Sequence, residues 1–507
     1  GGWSRFIALT PLSSDYIMEN FISFLNESNL WLLLALIVAG VLTGFVVGAL
    51  PGFDITTGVA LLLPLSYVMG QAEALGFFTA MYCAGVFGGS ITAILFGIPG
   101  TSESVMSAVE GYPFTQRGEH GLALGVAIVS SAIAGIAATF VLITIAPMLA
   151  DFALTFGPGD YSALGILGCA AVVSASGDKL AKGILAVLLG LFLSTVGPDR
   201  ISGEFRFTFV PVLQDGIGLI PAIIGLFAVA DVFWRVLSND IPNFKFEGVS
   251  QKWRFPSIRD YISLRWTIIR SWAIGVFTGI LPGAGASSAA FIAHSAEAKF
   301  SKTPEKFGTG IKSALAAPET AKNAAAVGSL IPLLSLGIPG SGTAAVILGA
   351  FEIHNLQAGP LLFAQQPELV QTVFFSVMVA NIAFVLASFI LMRPIARMAS
   401  LPYPALAVGI LTLSITGSIA TGGMAAAYVM LGFAMLGVDL KALDIPAAPV
   451  ILGIVLGPII EIYFRRGLLM ADGDFIAVYS SPMSIGFLLV ATLFLILPIL
   501  QNLFKKS

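Results

Sequence analysis

The chain has 507 residues, of which 57% are hydrophobic and only 10% are charged, with a formal net charge of −3. Soluble domains have about 25% charged residues, so this composition excludes a soluble globular protein, and the slightly acidic balance gives no support to nucleic-acid binding. Apolar runs of about 17–25 residues recur along the chain. We therefore predict an all-α polytopic membrane protein, lying in a lipid bilayer.

Residue types that support enzyme chemistry are sparse. His120, His294 and His354 are far apart and lack the spacing of metal ligands. The sequence contains no Gly-Lys-Ser/Thr phosphate loop. Cys83 and Cys169 fall in predicted spans, where packing is the ordinary role of a buried thiol. We expect no enzyme activity and no cofactor.

Along the chain, the apolar runs divide into two groups separated by a polar stretch. Five parts are predicted in chain order: an N-terminal extension at 1–29, a first transmembrane repeat at 30–236, a cytoplasmic linker at 237–265, a second transmembrane repeat at 266–464, and a loop with a C-terminal transmembrane helix at 465–507. About eleven crossings are expected, with the C-terminal helix outside the repeats.

Each repeat contains two Pro-Gly interruptions of its apolar sequence. The first and third are Pro51-Gly52 and Pro282-Gly283, 231 residues apart (283 − 52). The second and fourth are the Gly-Ile-Pro-Gly motifs that end at Gly100 and Gly340, 240 residues apart. Proline and glycine stop a helix and let it restart. Paired breaks in two apolar halves predict the binding site of a secondary transporter, with a re-entrant hairpin and a broken helix in each half.

The chemistry of such breaks suits a carboxylate. A restarting half-helix directs free N–H groups and partial positive charge into the site, and nearby hydroxyls add donors. The helix-breaking residues are Pro51, Pro99, Pro282 and Pro339. The candidate substrate-binding residues are Gly52, Thr56, Thr57, Gly100, Thr101, Ser102, Ser104, Gly283, Ser287, Ser288, Asn323, Gly340, Ser341 and Thr343.

Three acidic residues lie near the breaks: Asp54, Glu103 and Glu319. Carboxylates at membrane depth are costly and usually functional, so these are candidates for binding a coupling cation or carrying a proton. The alternative is a structural ion pair, and Lys322, three residues after Glu319, has the spacing of a helical partner.

Basic residues prefer cytoplasmic loops, and their placement differs between the halves. Acidic residues alone flank the first break, whereas Arg265, Arg270, Lys299 and Lys302 are among those that flank the third. We therefore predict that the second repeat is inverted relative to the first. Arg465 and Arg466 fall on the wrong side in this scheme.

Several motifs together resemble the large membrane subunit of the tripartite tricarboxylate transporters. They are Gly-Phe-Val-Val-Gly-Ala-Leu-Pro-Gly at 44–52, Thr-Thr-Gly-Val-Ala at 56–60, Tyr-Cys-Ala-Gly-Val-Phe-Gly-Gly-Ser at 82–90, Gly-Tyr-Pro at 111–113, Pro-Glu-Lys-Phe-Gly at 304–308, Ala-Pro-Glu at 317–319, Asn-Ala-Ala-Ala at 323–326 and Ile-Pro-Leu-Leu at 331–334, before the Gly-Ile-Pro-Gly motif at 337–340. Where the family usually has Asn-Asn, this chain has Lys322-Asn323.

The resemblance implies a multi-pass carrier in the bacterial inner membrane, accompanied by a small membrane subunit and fed by a periplasmic solute-binding protein. Its expected function is cation-coupled import of organic carboxylates, with Na⁺ favoured over H⁺ because hydroxyls and carbonyls are hard oxygen ligands. The alternatives are a carboxylate carrier that acts without a binding protein and a polytopic membrane enzyme.

Overall fold

The computed structural model describes residues 30–50, 53–238, 256–398 and 403–505. Within these ranges the chain is helical apart from its connections and one β-hairpin, in which Gly197–Pro198 pairs antiparallel with Phe205–Arg206. The all-α prediction is confirmed. Pro51, Gly52 and most of the predicted linker lie outside the described residues.

In the first half the structure describes eight α-helices. They are α1 (Leu30–Ala49), α2 (Ile55–Leu62), α3 (Gln71–Phe96), α4 (Val105–Gln116), α5 (His120–Ala153), α6 (Pro158–Ala175), α7 (Leu180–Leu193) and α8 (Leu219–Leu237). A 3-10 helix, Leu63–Val68, continues α2, and the π-helical turn Ile224–Val229 lies inside α8.

The second half and the C-terminal segment contribute eleven more described helices. They are α9 (Ile258–Ile280), α10 (Gly285–Phe300), α11 (Lys312–Gly328), α12 (Leu330–Leu336), α13 (Gly342–Ile353), α14 (Pro360–Gln365), α15 (Pro367–Met398), α16 (Tyr403–Ala442), α17 (Ala448–Met470), α18 (Phe475–Val478) and α19 (Pro482–Lys505). Only Ser329 separates α11 from α12.

Helix α16 departs from regular geometry near its middle. Gly422 and Gly423 have non-helical dihedral angles, and Gly423 has a φ of 65°. Glycine tolerates this left-handed conformation, so the chain turns there.

Seven described helices are long and apolar enough to cross a membrane. They are Leu30–Ala49, Gln71–Phe96, His120–Ala153, Leu219–Leu237, Pro367–Leu391, Leu406–Ala442 and Ala448–Met470. Ile55–Val68, Leu180–Leu193, Gly342–Ile353 and Pro482–Ile496 are apolar but shorter. The polytopic membrane character is thus confirmed, while the eleven crossings, the hairpins and the inversion stay predictions.

The centre of the molecule is formed by α3 and α11. Every residue of α3 from Ala74 to Leu95 is buried, as is every residue of α11 from Ala314 to Gly328. α3 packs closely against α1, and α11 packs closely against α9. Small residues permit such close helix packing in membranes. These two buried helices place the breaks at the middle of the protein.

Candidate functional site

The second and fourth breaks have the same local backbone structure. α3 ends at Gly97, which has a φ of 70°, and α12 ends at Gly337, which has a φ of 71°. A glycine in this left-handed conformation terminates a helix. The following Ile-Pro cannot continue the helix because proline lacks the N–H donor, so the chain crosses in extended form before α4 and α13 begin.

Side-chain caps start the helices after two of the breaks. Asp54 caps α2, where its Oδ1 accepts a hydrogen bond from the Thr56 backbone N–H at 2.9 Å. Ser341 caps α13, where its Oγ accepts from the Ala344 backbone N–H at 3.1 Å. Each cap satisfies only one of the free amides of its helix start. The remaining amides are available to a ligand.

Hydrogen bonds join all four breaks into what we call the break cluster, formed by Asp54, Thr56, Ser102, Ser287 and Thr343. Ser102 Oγ donates to Asp54 Oδ2 at 2.9 Å, and the hydroxyls of Ser102 and Ser287 are 3.2 Å apart. The hydroxyls of Thr56 and Thr343 share a hydrogen bond of 2.8 Å. The cluster therefore draws on both halves of the chain.

Close backbone contacts are found at three of the breaks. The Gly283 N–H donates to the Gly340 carbonyl at 3.0 Å. A Cβ added at Gly100 would lie 2.1 Å from the Gly48 carbonyl oxygen, and one added at Gly340 would lie 2.4 Å from that of Gly279. Such distances are shorter than van der Waals contact, so only glycine fits at these two positions.

Glu103 lies beside the cluster in the 3-10 helix Ser102–Ser104 and is 7% exposed. Its Oε2 has no hydrogen-bond partner among the described residues. The Thr101 and Ser104 hydroxyls, which flank it in sequence, are 3.1 Å apart. A carboxylate oxygen buried without a partner is costly, so Glu103 provides an open position for a cation or a proton.

Glu319 and Lys322 form an ion pair that is fully buried on α11, with 3.1 Å between Oε1 and Nζ. Ser90 donates to Glu319 Oε1 at 2.6 Å, Ser107 donates to the same oxygen, and Ser131 donates to Oε2 at 3.0 Å. The structural ion pair is thus present, and the Glu319 carboxylate is fully occupied in this state.

A search of known protein families matches this chain with the model described as "Tripartite tricarboxylate transporter TctA family", over residues 34–452. The chain belongs to this family. It is therefore a multi-pass membrane component of a tricarboxylate-type transport system that has three parts. Membership favours a transporter over an enzyme.

Two relatives from Agrobacterium vitis are similar to this TctA-family chain. One is an uncharacterized 52.8 kDa protein in the TAR-I ttuC' 3' region, 34% identical over 470 residues, which cover 92% of this chain and 93% of the relative. The other is an uncharacterized protein in the TAR-II ttuC' 3' region, 33% identical over 234 residues, which cover 46% of this chain and 96% of the relative. No solved structure is significantly similar.

Gly52 lies outside the described residues, and the remaining predicted residues of this TctA-family chain are not among the five of the cluster. Among the described residues, no hydrogen bond joins Thr57 or Ser288 to the cluster. Asn323 is held away from it, because its Nδ2 donates to Ser131 Oγ at 2.8 Å and to the Glu319 carbonyl at 3.0 Å.

Sequence reasoning missed the contact of Tyr82 with Ser341 and that of Lys322 with Ser104, although Ser104 and Ser341 were themselves predicted site residues. Tyr82 Oη is 3.0 Å from Ser341 Oγ, and Lys322 Nζ donates to Ser104 Oγ at 3.2 Å. A signal for both was present, because Tyr82 and Lys322 are 240 residues apart (322 − 82), the same separation as the second and fourth breaks.

A cavity of about 600 Å³ is lined by the β-hairpin, by α13 and α17, and by Gly337 at the fourth break; none of the five cluster residues lines it. Arg206 binds Glu461 there with both terminal nitrogens, at 2.6 and 3.2 Å, and Arg465 donates to Asp199 at 2.6 Å. The Ser202 and Ile201 amides, together with Arg465, hold the pKa of Asp199 below its usual range. Arg465, which did not fit the predicted charge pattern, thus has a structural role in an ion network.

Proposed function

We propose that this chain is the carrier of a secondary active system that imports organic carboxylates together with a coupling cation, with Na⁺ favoured over H⁺. In this proposal the chain lies in the bacterial inner membrane as two inverted repeats, with a small membrane subunit as its companion. A periplasmic solute-binding protein supplies the substrate. The observation that carries the proposal is the break cluster, in which all four helix breaks meet through hydroxyl and carboxylate groups.

The cluster supports a carboxylate substrate through its donors. Three described helices, α2, α10 and α13, begin at it, and each directs amide N–H groups and partial positive charge toward its own start. The hydroxyls of Thr56, Ser102, Ser287 and Thr343 lie next to these helix starts and can turn from each other to the substrate.

The need for a cation follows from charge. A helix N-terminus is worth about half an elementary charge, and Lys322, which reaches the second break, is already neutralised by Glu319. Asp54 and Glu103 add negative charge to the same place. A substrate with two or three carboxylates therefore requires mobile cations, and the hydroxyl and carboxylate oxygens available are ligands that suit Na⁺.

Proton coupling is the second candidate, because Glu103 Oε2 is buried without a partner among the described residues. A proton on this oxygen would remove the buried negative charge without requiring other ligands. Ion dependence separates the two candidates, since Na⁺ coupling needs several oxygens at once whereas proton coupling needs one carboxylate.

The test is uptake into proteoliposomes that contain the chain and its small subunit, with the purified binding protein outside. The probe is the labelled carboxylate that this binding protein retains. We expect uptake to require both the binding protein and an inward Na⁺ gradient, and Ser287→Ala to raise the Na⁺ concentration needed for half-maximal uptake. The matched control is Ser480→Ala, which changes an exposed serine outside the cluster.

Uptake that ignores Na⁺ but follows an imposed pH gradient would replace Na⁺ with H⁺ and place the coupling at Glu103. Equal uptake without the binding protein would favour a carrier that acts alone.

A further inference from the structure

The environment of Lys322 resembles a cation site in which the cation is covalently attached. Nζ is fully buried. It lies 3.1 Å from Glu319 Oε1 and 3.2 Å from Ser104 Oγ, donates to Ser90 Oγ, and reaches Ser107 Oγ at 3.5 Å. One carboxylate oxygen and three hydroxyl oxygens form a ligand set that hard cations prefer.

These ligands come from four different elements. Ser90 lies on α3, Ser104 on the 3-10 helix that follows the second break, Ser107 on α4 and Glu319 on α11. The ammonium group therefore connects the second-half helix α11 to serine side chains on both sides of a first-half break. A charge placed there stabilises the arrangement of the break as well as balancing Glu319.

The corresponding place in the other half is neutral. Tyr82 occupies the position equivalent to Lys322, and its hydroxyl is 3.3 Å from Ser329 Oγ and 3.0 Å from Ser341 Oγ. Thr79, the equivalent of Glu319 (319 − 240), bonds its own helix at the Leu75 carbonyl. Carboxylate and ammonium are thus both present in one half and both absent in the other, as expected if they serve as ligand and ion.

We propose that the Lys322 ammonium permanently fills a monovalent-cation site formed by Glu319, Ser90, Ser104 and Ser107. The tethered charge removes the need for a mobile cation at the Glu319 carboxylate. Glu319 then has no part in ion coupling in this chain, and Asp54 and Glu103 remain for that role. The consequence for coupling rests on the proposed function, but the existence of the site does not.

The proposal predicts that removing the side chain opens the site. Lys322→Ala leaves the carboxylate, the three hydroxyls and the space of four methylenes and an ammonium. We expect the purified full chain with this substitution to bind one more ²²Na⁺ per chain than the wild type in equilibrium dialysis. Its unfolding temperature should rise with NaCl in a saturable way that choline chloride at equal ionic strength does not reproduce.

Two variants serve as controls for the binding count. Lys322→Ala combined with Glu319→Gln retains the space but lacks the carboxylate, and Lys322→Met fills the space with an uncharged chain. Both should bind the wild-type number of Na⁺ ions. If Lys322→Ala does not yield folded protein, Lys322→Asn opens much of the same space while keeping a donor for Glu319, and the same count applies.

A Lys322→Ala or Lys322→Asn protein that is folded by circular dichroism and gel filtration, yet binds no additional Na⁺, would overturn the proposal. Because the result is a difference from the wild type, it holds whether the wild type binds several Na⁺ ions or none. A failure of the proposed Na⁺ coupling would instead appear as a wild-type count of zero, so the two failures are distinguishable.

Discussion

The helices α3 and α11 are counterparts in the two predicted repeats, yet they present different chemistry to the opposite half. On α3, the neutral Tyr82 hydroxyl is hydrogen-bonded to Ser341 at the fourth break. On α11, the Lys322 ammonium donates a hydrogen bond to Ser104 at the second break. The backbone contacts beneath them are alike, since Gly100 approaches the Gly48 carbonyl and Gly340 approaches that of Gly279. The glycine contacts are thus alike in both halves, whereas the buried ammonium–carboxylate pair of Lys322 and Glu319 has no charged counterpart at Tyr82 and Thr79.

The largest expected loss of unfolding free energy is for removal of the Lys322 charge. Lys322→Met leaves the Glu319 carboxylate buried without its partner, which typically costs about 3–5 kcal/mol. We expect a loss of unfolding free energy of that size in detergent without Na⁺. Adding Glu319→Gln should restore most of it, because no buried charge then remains. A single variant as stable as the wild type would show that Glu319 does not depend on Lys322.

The repeated scaffold predicts similar losses at equivalent glycines. Gly100→Ala and Gly340→Ala each place a methyl group against a backbone carbonyl, and overpacking of this kind costs about 1–3 kcal/mol. The matched control is Gly432→Ala, where the new methyl has no neighbour within 4 Å, so that we expect a gain of up to about 1 kcal/mol from helix propensity. A large loss at one break and none at the other would contradict a shared scaffold.

A smaller loss of unfolding free energy is expected at Tyr82, the uncharged counterpart of Lys322. Tyr82→Phe removes hydrogen bonds to Ser329 and Ser341, but these two hydroxyls are 3.4 Å apart and can bond each other. We expect a loss of about 1 kcal/mol in the free energy of unfolding. A loss equal to that of Lys322→Met would remove the distinction between the two halves.

Much of the fold could be predicted because its signals are local. Apolar runs identify the long helices, the Gly-Ile-Pro-Gly motifs mark the breaks, and Gly422-Gly423 marks the turn in α16. The pairing of Thr56 with Thr343 could not be predicted, because 287 residues separate them and only helix packing decides which hydroxyls meet. The β-hairpin was missed as well, because strands of two residues, Gly197–Pro198 and Phe205–Arg206, are too short for an alternating pattern.

The predicted inversion of the halves is tested by the side of the membrane from which each half can be labelled. In a variant without Cys83 and Cys169, single cysteines at Gln71 and Ser301 should react with impermeant maleimides from opposite sides of the membrane, because acidic residues flank the first break and basic residues the third. Reaction of both from the same side would show parallel repeats.

The claim that the break cluster binds the coupling ion is tested most directly at Asp54, which bonds both Thr56 and Ser102. The measurement is the Na⁺ dependence of uptake into proteoliposomes by Asp54→Asn, compared with Asp444→Asn, which changes an exposed carboxylate paired with Lys179. We predict that Asp54→Asn raises the Na⁺ concentration for half-maximal uptake by about tenfold or more, equivalent to about 1.4 kcal/mol, while Asp444→Asn leaves it unchanged. Equal Na⁺ dependence in both variants and the wild type would contradict the account.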